Sequence, residues 1–459
     1  MIKSQIMKNE TVQPNTRELE KLKEILPQYF DKEGNFKLDS FKEMLKLNEI
    51  NVEKEGYELK FLGKNYSKFQ SGLETETVIV PDIEHNSKEE NINSENMYIV
   101  GDNLDALKHL LKSYSNKIKC IYIDPPYNTG SDGFVYNDNF SFTPEALSEK
   151  MGIDEEEAKR IIELKGKSNH SAWLTFMYPR LELARDLLTD DGVIFISIDD
   201  NEVANLKKIC EDLFYEDNID ILIWQKTDPW TDRNTNAKQI SRFLEFKEYI
   251  LVIYKNKMLT TFNKIKRFPD WKNQQKNIDK DPRGNWQSGI FSFEEGHKNE
   301  DVFSSSYFEI TTPNGNKYKR HWFCENYEEY KKLKENNFLY FGKNGGNVPR
   351  LKIFENIEKE FYLHSILRGF GTSSSAKDEI LEILKNREIF DTPKPTKLLK
   401  ELIRTNIGKD LIILDFFSGS ATTAHAVMEL NKEDNGNRKY IMVQLPEKIS
   451  RMARKNIYK

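Results

Sequence analysis

Cysteine is nearly missing from the 459-residue chain: Cys120, Cys210 and Cys324 are far apart, odd in number, and have no His or Cys neighbour at metal-ligand spacing. That argues against a disulfide framework and a zinc site, and for buried thiols in a reducing compartment. Long apolar runs are missing as well. Segments such as Val193 to Ile198 and Ile250 to Tyr254 fall far short of a bilayer span, and the N-terminus offers Lys3 and Lys8 but no signal-like apolar core. A cytoplasmic protein with no membrane partner is expected. A surplus of positive charge is also lacking: 69 Lys and Arg face 74 Asp and Glu, a net charge of -5. Nonspecific binding of nucleic acid by the whole surface is therefore disfavoured, while a local basic face is not. No G-x-x-x-x-G-K-[ST] sequence is present, so no phosphate-gripping loop and no ATP motor are expected. Neither a Ser-His-Asp set nor a metal-ligand cluster is conspicuous.

What the chain does have is length and enough apolar residues, 38%, for two or three domains with substantial cores. Leu19, Leu22, Ile25 and Leu26, then Phe41, Leu45 and Leu47, repeat at helical spacing on either side of the turn Lys32-Glu33-Gly34-Asn35. This reads as a small helical pair, followed by an exposed linker over the polar stretch 84–96. From Met97 the rhythm becomes strand, helix, strand: Tyr98 to Val100, Leu104 to Leu111, Ile118 to Ile123. That is a βαβ unit and predicts a parallel sheet. A helix over Tyr178 to Leu188, a turn at Asp190-Asp191-Gly192, the strand Val193 to Ile198 and a helix from Glu202 to about Phe214 follow. Ile219 to Trp224 and Glu248 to Tyr254 read as a pair of strands closing the sheet at its edge. Between about 255 and 385 the rhythm stops, and aromatic residues alternate irregularly with basic ones, among them Lys264, Arg267, Trp271, Trp286, Arg320 and Trp322. From Lys255 to Arg320 there are 13 Lys or Arg against 8 Asp or Glu. A separate, DNA-facing insert is the reading preferred over a solvated domain with an aromatic core. After Thr392-Pro393-Lys394-Pro395 the βαβ pattern returns through Leu411 to Leu414, a helix opening near Thr422, and Tyr440 to Leu445.

Two turns at strand ends carry chemistry. Asp415-Phe416-Phe417-Ser418-Gly419-Ser420-Ala421-Thr422-Thr423 sets an acidic residue and small residues where backbone approaches a ligand and a helix N-terminus points at it. Cys120 to Ile123 runs as an apolar strand into Asp124-Pro125-Pro126-Tyr127, where the two prolines end the strand. This second turn combines a carboxylate that accepts an amine N–H, stiffened carbonyls that accept another, and a ring that stacks on a base. Such a set suits methylation of an exocyclic amine, whose lone pair is delocalised until two acceptors localise it. Positioning against a sulfonium methyl group completes the requirement.

Together with Val100-Gly101-Asp102-Asn103-Leu104, Asp124 to Gly130, Trp173 to Leu181, Ile196 to Asp200, Pro393-Lys394-Pro395 and Asp415 to Ala426, these stretches resemble the β-class DNA adenine-N6 methyltransferases. In particular they resemble the modification (Mod) subunits of Type III restriction-modification systems. The resemblance implies an α/β fold: a Rossmann-like sheet for S-adenosyl-L-methionine in circularly permuted order, with an inserted target-recognition domain and an N-terminal helical extension. The implied boundaries are 1–95 for the extension and linker, 97–255 for the catalytic half, 256–385 for the insert and 386–459 for the cofactor-binding half. Members of the family continue beyond this length, so the last segment is expected to be cut short after Leu445. The implied site has Asp124, Pro125 and Pro126 at the target amine and Tyr127 stacked on an adenine flipped from the duplex. For the cofactor it implies Asp102, Asn103, Lys394, Pro395, Asp415, Phe417, Gly419, Ser420 and Thr422, with Glu447 as a ribose ligand, and no metal. Ala421 stands where these enzymes often have Gly. The implied partners are double-stranded DNA, a second copy of the chain and a Res helicase/endonuclease subunit. Cytosine-N4 methylation and a catalytically silent DNA-binding subunit are the alternatives.

Overall fold

The structure is a computed structural model that describes residue 5 and residues 8–47, 59–129, 143–167, 169–228, 245–267, 277–354, 356–387 and 390–445. The chain divides into two compact units, one made of Met1–Asn263 with Leu363–Lys459 and the other of Lys264–Tyr362. Residues 363–385, assigned to the insert from sequence, therefore fold with the larger unit.

Eight short runs of mostly aliphatic and β-branched residues form the sheet of the larger unit: β1 (Met97–Val100), β2 (Ile118–Ile123), β3 (Leu188–Ile198), β4 (Ile219–Gln225), β5 (Lys247–Tyr254), β6 (Ile366–Leu367), β7 (Ile412–Asp415) and β8 (Lys439–Gln444). Their order is β1-β8-β7-β2-β3-β5-β4-β6. Only β5 is antiparallel to its neighbours, β3 and β4. Seven strands thus end at one edge of the sheet, and β5 begins there. Every residue of β2 is buried, as a central strand covered on both faces requires.

Helices α1 (Asn103–Tyr114), α2 (His170–Leu187) and α3 (Val203–Phe214) pack Leu107 and Leu110, Leu181 and Ala184, and Leu206 and Ile209 into a core shared with Ile121, Ile194 and Ile196. Each such side chain, fully buried, stabilises the fold by roughly 1.5–3 kcal/mol. Helices α4 (Ser373–Leu384), α5 (Thr396–Arg404) and α6 (Thr422–Asp434) belong to the same unit. The three cysteines are buried free thiols.

Helix α2 begins eight residues before the expected Tyr178 and runs straight through Pro179. A proline there removes the N–H that would bond the Thr175 carbonyl, and the Ser67 hydroxyl donates to that carbonyl at 3.2 Å instead. The expected turn at Asp190 to Gly192 is a bulge within β3, where the pairing with β2 skips from Ile118–Leu188 to Cys120–Val193. The β4–β5 hairpin is not the sheet edge, because β6 pairs alongside β4. The expected N-terminal helices are Thr16–Ile25 and Leu38–Leu47. The first buries none of its residues and is tied to α2 by ion pairs of Arg17 and Lys21 with Asp186. A helix over Lys64–Gly72 packs Tyr66 and Phe69 against Leu147 and Met151 of a helix over Pro144–Met151 and Ala158 and Ile161 of one over Glu155–Ile162.

The smaller unit contains a three-stranded antiparallel sheet (286–289, 339–340, 350–354), two strand pairs (265–267 with 359–361, and 307–311 with 317–321) and the helix Tyr327–Glu335. Trp286 and Trp322, grouped from sequence with a basic surface, are core residues at 2% and 1% exposure. Lys352 is buried as well, bonded to Asp279 at 2.5 Å and Asp281 at 2.9 Å. Trp271 and Lys272 lie outside the described residues.

Candidate active site

Asp124 leaves the end of β2 and is met from three directions. Tyr127, three residues on, donates its hydroxyl to Asp124 Oδ1 at 2.7 Å. Lys394, from the segment that leads into α5, donates Nζ to Oδ2 at 2.7 Å. Glu248 comes from the start of β5, where the antiparallel strand enters this edge; its Oε2 lies 3.3 Å from the Tyr127 hydroxyl and 3.5 Å from Lys394 Nζ. Lys226, just past β4, closes the set with Nζ 3.3 Å from Glu248 Oε1. The Pro126 carbonyl accepts the Trp173 indole N–H at 2.7 Å, which fixes the turn on α2.

Burial pushes the Asp124 carboxyl above its ordinary range, and the Lys394 ammonium opposes that push. Burial likewise disfavours the charge on Lys394, but the Asp124 and Glu248 carboxylates outweigh it and hold the ammonium above its ordinary value. Tyr127 is driven far up by burial and by the same two carboxylates, so its phenol stays protonated and donates.

One strand away in the sheet, β7 ends in Asp415, which is buried. Its carboxylate accepts the Thr423 hydroxyl at 2.6 Å and the Phe417 N–H at 2.9 Å. Burial outweighs these neutral donors and raises its pKa to about 7. The turn that follows holds Gly419 at φ 49 and Ala421 at φ 62, both left-handed. A Cβ on Gly419 would come within 2.8 Å of Phe390, so glycine is required there. Ala421 instead bears the strain of that conformation. The Ser420 and Thr422 hydroxyls bond each other at 2.8 Å, and the Ser418 hydroxyl is buried with no partner among the described residues.

Asp102 caps α1, its carboxylate accepting the Leu104 and Asp105 N–H groups. Asn103 donates to the Phe416 carbonyl at 2.9 Å and so ties this turn to the Asp415 turn. Arg180, fully buried on α2, donates to Asn103 Oδ1 at 2.7 Å and lies 3.5 Å from Asp102 Oδ2. Its guanidinium stacks 3.6 Å from the centre of the Phe176 ring, which neighbours Phe417. Pro395 caps α5 and packs against Gly371. A cavity of about 180 Å³ adjoins the set, lined in part by Lys394, Thr396, Ser420, Thr422 and His425.

The residues expected from sequence thus gather at one sheet edge, in two bonded groups: Asp124, Tyr127 and Lys394, and the Asp102–Asn103 and Asp415–Thr422 turns. Lys394, expected beside the cofactor, has Asp124 as its nearest charged partner. Glu447 lies outside the described residues. Sequence reasoning missed Glu248, Lys226 and Arg180. Glu248 follows Lys247 at the start of a strand that is apolar from Tyr249 on, and Arg180 lies between Pro179 and Leu181 in a helix that also carries Glu182 and Arg185, so their local signal is faint.

Residues 118–455 match a family described as DNA methylase. The chain is 40% identical to the Type III restriction-modification enzyme StyLTI Mod subunit of Salmonella typhimurium, over 98% of this chain and 69% of that protein. It is 36% identical to the EcoP15I Mod subunit of Escherichia coli, over 96% and 73% of the two chains. It is also 36% identical to the EcoPI Mod subunit of Escherichia phage P1, over 98% and 74%.

Proposed function

Because the chain belongs to the DNA methylases, and among them to the Mod subunits of Type III restriction-modification enzymes, we propose that it transfers a methyl group from S-adenosylmethionine to N6 of adenine in duplex DNA. The observation that supports this most is the half-buried Asp124, held by Lys394 and Tyr127 beside the Asp415 turn. Asp124 and the Pro125 carbonyl accept the two amine hydrogens, which localises the nitrogen lone pair. Tyr127 stacks on the base once it has left the duplex, and unstacking costs a few kcal/mol.

The other turn fits the methyl donor. Asp415 offers a buried carboxylate short of a cation, Ser418 an orphaned hydroxyl, and Gly419 a backbone that admits close approach. Asp102, Asn103, Phe417, Ser420 and Thr422 line the same pair of turns, and Lys394-Pro395 forms the adjoining wall. When bound, S-adenosylmethionine supplies an electrophilic methyl group on sulfur. Asp124 keeps the amine oriented toward it, and the buried setting excludes competing water.

In this reading the order of the motifs along the chain is the permuted one, and residues 264–362 read the DNA sequence. With 18 Lys or Arg against 15 Asp or Glu, that unit is the basic part of an acidic chain. A Res subunit is the partner that would cleave unmodified DNA, and a second copy of the chain completes the modification enzyme. Sequencing the methylome of a host that expresses the chain tests the reading. N6-methyladenine at one recognition site, absent with Asp124→Ala, is expected. N4-methylcytosine, or no modification at all, would overturn it.

A further inference from the structure

Asp124 carries more donors than an acceptor of an amine should. Both of its oxygens are engaged, Oδ1 by the Tyr127 hydroxyl and Oδ2 by Lys394 Nζ. A carboxylate that already accepts a cation and a hydroxyl is a weaker acceptor for a third donor, because each bond draws on the same lone pairs. Yet both donors have a second acceptor within reach. Glu248 Oε2 is 3.3 Å from the hydroxyl and 3.5 Å from Nζ, so a movement of about half an ångström brings either donor to ordinary hydrogen-bond distance.

Glu248 is itself held for this task. Its side chain is 12% exposed, β5 presents it at the sheet edge opposite Trp224 of β4, and Lys226 grips its other oxygen. The two carboxylates therefore face one another across a shared pair of donors, one of them the Lys394 cation, and a second cation, Lys226, stands behind Glu248.

Resting on the adenine-methylation reading, we propose that Glu248 is a positioning residue that takes over Lys394 and the Tyr127 hydroxyl when Asp124 engages the target amine. The exchange leaves the total charge of the set unchanged. It frees Asp124 as an acceptor only when an amine is present to replace the departing donors, so that the carboxylate is not left bare in a buried site, a costly state. It also frees the Tyr127 ring to meet the base without its hydroxyl being tied to Asp124.

The other titratable groups around the set are Tyr122, bonded to the Ser197 hydroxyl at 2.8 Å, Asp199 on the turn after β3, and Asp415. None of them touches both donors among the described residues. Burial and Glu248 both push the Asp124 carboxyl up, against Lys394. Removing the Glu248 charge while keeping its shape must therefore lower the Asp124 titration, although it leaves Lys394 with a single carboxylate partner.

The test compares wild type, Glu248→Gln and Lys226→Met in transfer of tritiated methyl groups from S-adenosylmethionine to unmethylated bacterial genomic DNA. A second readout needs no cofactor: carbon NMR of aspartate-labelled protein, with the Asp124 carboxyl signal assigned by its loss in Asp124→Asn. For Glu248→Gln, kcat should fall about 10- to 100-fold, as for other supporting residues of a reactive group. Cofactor affinity by calorimetry should stay within about twofold, and the Asp124 NMR midpoint should move to lower pH. Lys226→Met removes one of the two cations beside Glu248 and should move that midpoint to higher pH, which decides the matter even where Glu248→Gln does not fold. An unmoved midpoint in both variants, or an unchanged kcat and pH profile in Glu248→Gln, overturns the proposal. Absence of methyl transfer by wild type would instead overturn the function, and the NMR comparison would still judge the exchange.

Discussion

Asp124 and Asp415 stand at the ends of neighbouring parallel strands of one sheet, the first carboxylate half-buried and the second buried. The protein surrounds them in opposite ways. Asp124 receives a cation, Lys394, whose own burial makes the pair mutually dependent. Among the described residues Asp415 receives only a hydroxyl and an amide, which do not offset burial, and its pKa rises to about 7. The difference separates a carboxylate whose upward push the protein opposes with a cation of its own from one left to meet a positive group brought by a ligand.

The contrast is broken most directly at Asp124. Asp124→Asn should reduce methyl transfer at least 100-fold, since it swaps an ionised acceptor for an amide. Calorimetric binding of S-adenosylmethionine should be nearly unchanged, and loss of binding would mean that the two turns are not independent. Lys394→Met attacks the same pair from the cation. Leaving a half-buried carboxylate without its partner should cost about 2 kcal/mol in urea unfolding. It should also shift the acid limb of the methylation profile to higher pH, because the group that held Asp124 down is gone. A variant as stable as wild type would show that Asp124 does not depend on its cation.

Asp415 predicts a pH dependence of the other kind. Its folded pKa, about 7, lies above the ordinary carboxylate value. The protonated form is thus favoured by folding, and its contribution to stability is full below about pH 4, declines as pH rises, and is lost above about pH 7. Asp415→Asn should remove that slope from urea midpoints measured between pH 5 and 8. The affinity for S-adenosylmethionine should rise over the same interval, as the carboxylate ionises to meet a cationic ligand group, and the rise should be flat in Asp415→Asn. Ser418 gives the smallest effect. Removing its orphaned hydroxyl should stabilise the free protein by about 1 kcal/mol and weaken cofactor binding by a similar amount. A gain in stability with no loss of affinity would mean that the hydroxyl serves packing alone.

Both carboxylates were legible in the sequence because each ends an apolar run at a turn, and runs and turns are local. Seven of the eight sheet strands were legible for the same reason, apart from their ends, whereas β6, two residues long inside the stretch assigned to the insert, was not. Helix α2 was shortened by half because Pro179 reads locally as a boundary, whereas Ser67, more than a hundred residues earlier, supplies the missing donor. Glu248 and Lys226 escaped because their roles depend on strand order: the antiparallel pairing of β4 and β5 was legible as a hairpin, but not the insertion of β5 between β3 and β4, which brings the start of a strand to the edge where the others finish. Arg180 escaped because its partners, Asn103 and Asp102, lie more than seventy residues earlier. Trp286 and Trp322 looked like surface aromatics beside Lys and Arg, but in a small unit with little aliphatic content the aromatics are the core.

The ends of the 264–362 excursion are fastened within the larger unit. At the exit, the Asn263 N–H bonds the Thr405 carbonyl at 2.6 Å and its side chain bonds the Asn406 carbonyl at 2.8 Å. At the return, the Ile223 N–H of β4 bonds the Ser365 carbonyl at 2.8 Å. Neither clasp uses a side chain of the excursion itself. The two ends are therefore held by bonds made outside the interval, so substitutions between Lys264 and Tyr362 leave both clasps in place.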